Sequence, residues 1–343
     1  MKILVTGNRG YIGAVLVDML LERSYEVVGY DIDYYDGCEL YEFNQSIRQI
    51  RKDIRDVEIE DLEGIDAVIH LAALSNDPLG AFSPKLTEDI NLRATLRLAG
   101  FARQAGVKRF IYSSSQSMYG ISNTREELDE DTSDKNPITA YARTKWEAEC
   151  GLKKMNSSDF TVVCFRPSTV FGASPRLRCD IVFNNLVACA HTTGKVEIRS
   201  DGTPWRPVVH VRDVSEAYIA GLEAPVELIS GQSFNVGIKG GNFTVRQLAE
   251  AAQRTVPGSE LSFTNEDIID SRTYKVSFRK ILTVLRDYFK PKWDLTNGGR
   301  QLVDMFKKVN FSEKDFTGGR CTRLDSLERL IKEKKLNKDL KWV

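Results

Sequence analysis

The sequence predicts an α/β protein: a doubly wound parallel sheet followed by a smaller α/β lobe. Two observations support this prediction. Up to about residue 167, short apolar runs alternate with longer amphipathic ones, which is typical of parallel β-α-β units. The first run, Ile3–Val5, leads through a glycine-rich turn into an apolar helix, as in the first unit of a nucleotide-binding sheet.

The individual elements follow from the same pattern. Long helices are predicted from about Pro84 to Ala105 and from about Ile138 to Met155. The predicted strands of the first half are Ile3–Val5, Glu26–Tyr30, Gln49–Ile54, Ala67–Leu71, Arg109–Ser113 and Thr161–Phe165.

Beyond Arg166 the alternation becomes irregular. Strands are predicted at His210–Val211 and Ser233–Val236, with a helix from Asp213 to about Leu222 that Asp213 caps. Another helix opens at Thr244, with Gln247 placed for a capping box, and ends before Pro257. We therefore expect a Rossmann-type domain in residues 1–167 and about 205–238, and a substrate lobe in about 168–204 and 239–343.

The turn after the first strand predicts a dinucleotide site. Gly7, Gly10 and Gly13 lie between the strand and the helix, where glycines allow a tight turn, the approach of a diphosphate and close packing of the helix. The second strand ends in Asp31, at about the spacing from which a carboxylate reaches the ribose hydroxyls. Together these features favour an NAD(H)-binding site over an ordinary strand–helix turn.

Composition excludes several classes of protein. The 343 residues carry 48 basic and 48 acidic side chains without a long basic run, so neither nucleic acid nor a membrane is an expected partner. Apolar stretches stay short of the roughly 20 residues that span a bilayer, and no signal peptide precedes the first strand, so we expect a cytoplasmic protein. We expect no metal, because the cysteines lack the spacing of a metal site or a disulfide framework; they are Cys38, Cys150, Cys164, Cys179, Cys189 and Cys321.

The second long helix carries a candidate catalytic pair. Tyr141 and Lys145 are four residues apart, so both side chains lie on one helix face. The Lys145 ammonium and the positive ring of NAD⁺ are each expected to lower the pKa of the Tyr141 phenol from about 10, which would make it a base. The pair alone also fits a solvated helix face. The hydroxyl-rich run 113–120 at the end of the fifth strand could by itself be a polar loop, but together with the pair it favours a catalytic site.

In combination these motifs resemble the extended short-chain dehydrogenases/reductases of the nucleotide-sugar epimerase/dehydratase family. They occur in the family's order over about two thirds of the chain. The matching residues are Thr6-Gly7-x-x-Gly10-x-x-Gly13, His70-Leu71-Ala72-Ala73, Asn91, Ser113-Ser114-Ser115 with Tyr119-Gly120, Tyr141-x-x-x-Lys145, Arg166-Pro167 with Gly172, and Asp201-Gly202-Thr203-x-x-Arg206 with His210-Val211.

The resemblance implies a role for each residue. Tyr141, Lys145 and Ser115 would be catalytic, and Ser115, Thr169, Arg206 and Arg272 would contact a nucleotide-diphosphate sugar. Arg206 would bind the substrate diphosphate, although a surface ion pair is the alternative. The resemblance also implies a homodimer formed through the two long helices. NAD would be bound by Gly7, Arg9, Gly10, Tyr11, Ile12, Gly13, Asp31 (adenosine ribose), Asp53 and Ile54 (adenine), Leu71, Ala72, Ala73, Asn91, Ser113, Tyr141, Lys145 and Pro167.

Departures from the family pattern narrow the range of reactions that this chain is expected to catalyse. Family 4,6-dehydratases carry Thr-Asp-Glu where this chain has Ser115-Gln116-Ser117, and neither Gln116 nor Ser117 readily supplies the acid or base that water elimination needs. Thr169 replaces an asparagine that contacts substrate phosphates in many relatives. Asp77 is either a sugar ligand or a turn residue before Pro78, and we favour the turn.

The cofactor and the reaction are predicted accordingly. Arg9 resembles an arginine of NADP-using relatives, but Asp31 would repel a 2′-phosphate, so NAD is favoured. The first functional hypothesis is a nucleotide-sugar 4-epimerase with Tyr141 as base. The alternative is a 4-ketoreductase or 4-oxidase with net hydride transfer. A 4,6-dehydratase and a non-catalytic NAD-binding scaffold are less favoured.

Overall fold

The computed structural model of the protein describes residues 1–43, 46–122, 126–198, 200–263 and 273–343. Its strands are β1 Lys2–Thr6, β2 Glu26–Asp31, β3 Arg48–Arg51, β4 Ala67–His70, β5 Arg109–Ser113, β6 Thr161–Pro167, β7 Thr169–Phe171, β8 Lys195–Ile198, β9 Trp205–His210, β10 Ser233–Val236, β11 Asn242–Thr244 and β12 Glu260–Phe263.

The α-helices are α1 Tyr11–Glu22, α2 Asp77–Phe82, α3 Pro84–Glu88, α4 Ala94–Gln104, α5 Ala140–Met155, α6 Val182–Thr193, α7 Val211–Glu223, α8 Val226–Ile229, α9 Val245–Thr255, α10 Arg279–Val284, α11 Leu295–Lys308, α12 Glu313–Thr317 and α13 Arg323–Lys332. Short 3₁₀ turns cover Ile54–Asp56, Ile59–Leu62 and Gln116–Tyr119, and a π-helical turn covers Asp89–Arg93.

Within the described residues, the central sheet has seven parallel strands in the order β3-β2-β1-β4-β5-β6-β10. The chain winds outward from β1 in both directions, which confirms the predicted doubly wound fold. Thr6 at the end of β1 pairs with Tyr30 of β2 and His70 of β4, so the carboxyl ends of these strands form one edge. Ligands of open α/β sheets bind at this edge.

The apolar runs of the strands follow from burial on both faces of the sheet. Ile3 and Val5 join the core on the side of α1 and α7, whereas Leu4 between them joins the core on the side of α4 and α5. Successive strand residues point to opposite faces, so a sheet covered on both sides needs uninterrupted apolar strands.

Most predicted elements are present, with shifted ends. The strands Arg109–Ser113 and Ser233–Val236 and the Thr244–Gln247 capping box are confirmed as predicted. The predicted N-cap Asp213 is wrong: α7 begins two residues earlier, and His210 caps it by accepting a hydrogen bond from the Arg212 amide (3.3 Å). Asp213 instead accepts bonds from the backbone amides of Lys292 and Trp293, which a local pattern could not indicate.

The first predicted long helix is interrupted by the π-helical turn around Asn91. This turn is held by a chain of buried hydrogen bonds that reaches β1: Thr6 bonds His70 (2.6 Å), His70 bonds Thr95 (2.8 Å), and Thr95 donates to the carbonyl of Asn91 (2.8 Å). Burial lowers the pKa of His70 to about 3, so the ring is a neutral link. The chain therefore ties the helix to the strand that carries the glycine turn.

The second half of the chain builds the smaller lobe. There α6 packs on α9 and α11, beside the small sheets β7-β9-β11 and β8-β12. The predicted division of the chain into two domains by residue range stays a prediction. Helix α13, which is expected in the substrate lobe, packs instead on the central sheet: its Leu327 and Leu330 belong to the same apolar core as Leu4 of β1. In the described ranges, no helix combines the length and apolar character needed to cross a membrane.

Candidate active site

A cavity of about 910 Å³ runs along the carboxyl edge of the central sheet into the smaller lobe. The glycine turn, the serine run after β5 and the Tyr141–Lys145 pair all line it. The predicted site residues in its wall are Gly7, Gly10, Tyr11, Ile12, Gly13, Asp31, Asp53, Ile54, Leu71, Ala72, Ala73, Ser113, Ser115, Tyr141, Lys145, Pro167, Thr169 and Arg206.

The glycine turn has the geometry that a diphosphate requires. Gly7 has a positive φ of 71°, and a Cβ there would lie 2.8 Å from the amide nitrogen of Ala72. A Cβ on Gly13 would lie 2.2 Å from the carbonyl oxygen of Gly7. Helix α1 can therefore approach the turn this closely only because residue 13 is a glycine. Gly10 is the N-cap of α1, and within the described chain no side chain caps this helix. Its amides are thus available to an anion, and the residues fit the diphosphate of a dinucleotide.

Asp31 and Asp53 mark the other end of the groove. The Asp31 carboxylate accepts hydrogen bonds from the backbone amides of Arg9 (3.0 Å) and Asp33 (2.8 Å). Burial raises the pKa of Asp31, and these two bonds oppose the rise. Asp53 pairs with Arg55 (2.6 Å) and Lys341 (3.2 Å). The arrangement holds an oriented carboxylate at the end of β2, where a ribose hydroxyl can bond it.

Three of the predicted site residues are not among the described residues that line the cavity. Arg9 lies behind the described wall of the cavity and pairs with Asp33 (2.6 Å). Asn91 is also behind that wall: its amide bonds the backbone nitrogen (2.8 Å) and oxygen (3.0 Å) of Leu74, so it positions the loop after β4. Arg272 falls outside the described residues.

A buried network positions the serine run. Ser114 Oγ donates to Glu149 Oε2 (2.6 Å), and the Ser114 amide donates to the Phe165 carbonyl (2.7 Å). Glu149 is itself paired with Arg166 (2.5 Å), and both side chains are at most 1% exposed. Ser115 then stands at the cavity, with its Oγ 3.1 Å from that of Ser117.

The Tyr141–Lys145 pair begins α5, whose N-cap Thr139 accepts a hydrogen bond from the Ala142 amide. Lys145 is buried, and its Nζ donates to the Ser113 carbonyl (2.8 Å) and lies 4.9 Å from the centre of the Tyr112 ring. The pair and the serine run are therefore held as one unit at the cavity.

The predicted lowering of the Tyr141 pKa by Lys145 is not found. Burial raises the pKa of Tyr141, the hydrogen bond with Ser115 opposes this rise, and the nearby charges are those of Asp77 and Arg178. Burial also lowers the pKa of Lys145 to about 7, so near neutral pH the amine carries only part of its charge. The sequence could not indicate the degree of burial that causes both shifts.

Lys145→Met is expected to weaken the rise of stability with pH. The pKa of Lys145 is about 7 in the folded protein and about 10.4 when unfolded, so the unfolded chain binds more protons between these values. The free energy of unfolding of the wild type should therefore rise with pH across this window, and that of the variant should rise less. Urea unfolding of cofactor-free protein at pH 7 and pH 9 measures this, and an equal rise in both proteins would contradict the lowered pKa.

The cavity also contains charged residues that the sequence does not predict there, Arg178, Asp180 and Arg323, together with Asp77, for which a turn was favoured. Arg178 forms a two-pronged pair with Asp180 (2.9 and 2.8 Å) and donates to Ser75 (3.1 Å). Asp77 accepts a hydrogen bond from Thr139 (2.6 Å), so it is more than a turn residue. Arg323 of α13 lines the same cavity. No periodic or motif signal marks Arg178, Asp180 or Arg323, because only the packing of distant segments brings them to the cavity.

The fold and the site define an NAD-binding enzyme of the oxidoreductase type, with the extended short-chain dehydrogenase/reductase architecture. Residues 3–237 match the profile of the NAD dependent epimerase/dehydratase family, and the chain belongs to this family. The resemblance drawn from the motifs and the prediction of NAD as cofactor are thereby confirmed.

Relatives with different activities are similar to this chain. A UDP-glucose 4-epimerase of Mycolicibacterium smegmatis is 30% identical over 325 residues, covering 90% of this chain and 99% of the relative. A dTDP-D-glucose 4,6-dehydratase of Mus musculus is 27% identical over 328 residues, covering 90% and 89%. The structure of a UDP-glucuronic acid 4-epimerase from Bacillus cereus with UDP-glucuronic acid and NAD superimposes with a TM-score of 0.76 at 25% identity, covering 90% of this chain and 100% of that one.

Proposed function

We propose that this protein is a nucleotide-sugar 4-epimerase that acts by transient oxidation at C4 of the sugar. The observation that carries the proposal is the convergence of Ser115, Tyr141 and Lys145 on the cavity that contains the glycine turn. The similarity to UDP-glucose 4-epimerases supports it.

The chain's own residues would perform the proton chemistry. Tyr141, as phenolate, would take the proton of the C4 hydroxyl and later return it, while Ser115 would hydrogen-bond the oxygen as it becomes a carbonyl. Bound NAD⁺ supplies the acceptor for the C4 hydride and a positive ring that favours the phenolate. Lys145, held against the Ser113 carbonyl, would keep Tyr141 and the serine run in register. Arg206, in the cavity wall, would bind the substrate diphosphate.

Gln116 supports epimerisation over dehydration. Its side chain is buried, with the amide nitrogen donating to the Arg166 carbonyl (3.0 Å) and the amide oxygen accepting from Ser168 Oγ (3.2 Å). A neutral amide used in this way cannot act as the acid that protonates a leaving C6 hydroxyl. Gln116 stands where the resemblance places the aspartate of the dehydratases' Thr-Asp-Glu, so this position and Ser117 both disfavour dehydration.

The test is incubation with UDP-, dTDP-, GDP- and CDP-hexoses without added NAD. We expect a C4 epimer to form with cofactor that copurifies, and the absorbance of the nicotinamide band to stay constant. A stoichiometric change in that band would indicate a 4-ketoreductase or 4-oxidase. A product that has lost water would indicate a dehydratase, and either result would overturn the proposal.

Assembly stays a prediction. The two helical segments expected in a homodimer interface are Pro84–Gln104 and Ala140–Met155.

A further inference from the structure

The C-terminal segment, residues 319–343, lies against the cofactor half of the molecule. Leu327 and Leu330 of α13, together with Leu336 and Leu340 beyond it, pack into the core that contains Leu4 of the central sheet. Leu340 is fully buried. These buried leucines attach the segment to the core on the α4 and α5 side of the central sheet.

The last residues of the segment hold the groove where Asp53 lies. The Tyr34 hydroxyl donates to the Leu340 carbonyl (2.6 Å), and the Trp342 ring nitrogen donates to the Ile32 carbonyl (2.9 Å). Lys341 pairs with Asp53 (3.2 Å). Ile32, Tyr34 and Asp53 all line the cavity, so the segment supports this end of its wall from behind.

Arg323, the first residue of α13, reaches the cavity itself. Its guanidinium lies 4.3 Å from the centre of the Tyr35 ring, and its Nη2 donates to the Arg176 carbonyl (2.6 Å). Its Nη1 is buried and has no hydrogen-bond partner in the part of the chain that the structure describes. Buried polar groups are rarely left unpaired, and an unpaired cationic donor is the costliest kind.

The groups around Arg323 do not neutralise its positive charge. Among the ion pairs of the described ranges none includes Arg323, and the nearby Asp180 carboxylate is already paired with Arg178 (2.8 Å). Burial lowers the pKa of Arg323, and the neighbouring Arg178 guanidinium lowers it too, against the opposite effects of Tyr35 and Asp180. A buried guanidinium in this setting is stabilised by an anion with several oxygen acceptors.

We propose that Arg323 binds the diphosphate of NAD, as a second anchor besides the N-terminus of α1, and that residues 319–343 thereby hold the cofactor in the protein. The cavity that Arg323 lines also contains Gly10 and Ile12 at the start of α1. A diphosphate spans two phosphoryl groups, so amide donors and a guanidinium fork can bind it together. Through Arg323, residues 319–343 then slow the release of NAD.

The test compares Arg323→Gln with Arg329→Gln, an exposed arginine on the same helix. NAD binding is measured by titration calorimetry without any sugar, on protein from which copurified NAD has been removed. We expect Arg323→Gln to weaken NAD binding about tenfold to a hundredfold, the loss typical of a hydrogen bond to a charged group, and Arg329→Gln to leave it unchanged. Arg323→Lys, which keeps the charge but loses the fork, should weaken binding to an intermediate degree.

Thermal unfolding without ligand separates binding from folding. An unchanged midpoint in Arg323→Gln with weakened NAD binding supports the proposal, and wild-type affinity for NAD overturns it. Should that variant fail to fold, the wild-type protein decides: NAD should slow amide hydrogen exchange in residues 319–343, and unchanged exchange there overturns the proposal. Both measurements concern NAD alone, so their failure is independent of whether the protein epimerises a sugar.

Discussion

Tyr141→Phe is expected to lower turnover by about 10²–10⁴-fold while leaving NAD bound as in the wild type. Only the phenolic hydroxyl is removed, and positioned general acid–base groups contribute about this factor. Phe keeps both the ring and the Cβ, which approaches Gly80 closely, so the packing of the side chain is retained. The measurements are the rate of C4 epimer formation and the NAD content of the purified variant.

The matched control for this variant is Tyr112→Phe, which removes the hydroxyl of a buried ring beside Lys145. That hydroxyl is buried with no hydrogen-bond partner in the described chain, so its loss should affect turnover far less. If Tyr141→Phe kept wild-type turnover, Tyr141 would not be the base. If the wild type also failed to exchange hydride between bound cofactor and any sugar nucleotide, the protein would be a binding scaffold.

Glu149→Ala is expected to lower the free energy of unfolding by about 3–5 kcal/mol, because it leaves Arg166 buried without its carboxylate. Glu149 also accepts hydrogen bonds from Ser114 and Ser233 (2.6 Å each), and both hydroxyls would lose them. Burial opposes ionisation of Glu149, but the charge and hydrogen bonds of Arg166 hold its pKa below the usual value. The stability from this carboxylate is therefore present above the ordinary glutamate pKa and is lost as the pH falls through the lowered value.

Chemical denaturation near neutral pH measures this effect, with Glu147→Ala on the exposed side of α5 as control. The control should change stability by less than about 0.5 kcal/mol. A loss for Glu149→Ala as small as that of the control would mean that the ion pair with Arg166 does not hold the serine run in place.

Local sequence determined the cofactor cradle and the catalytic pair. The turn that carries Gly7, Gly10 and Gly13 lies between adjacent elements, and its conformation depends on residues only a few positions apart. The spacing of Tyr141 and Lys145 likewise places both on one face of a helix whatever surrounds it. The alternation of apolar and amphipathic runs predicted a doubly wound parallel sheet, but the order of its seven strands, with β10 beside β6, was found only in the structure.

Only the tertiary structure decided the charges and partners of these groups. Burial raises the pKa of Tyr141 and lowers that of Lys145, and burial depends on every segment packed around them. Arg166 finds Glu149, and Arg323 reaches Tyr35, across long stretches of chain. Pairs so far apart leave no periodic signal in the sequence, because their contact is a consequence of the completed packing and not of their neighbours.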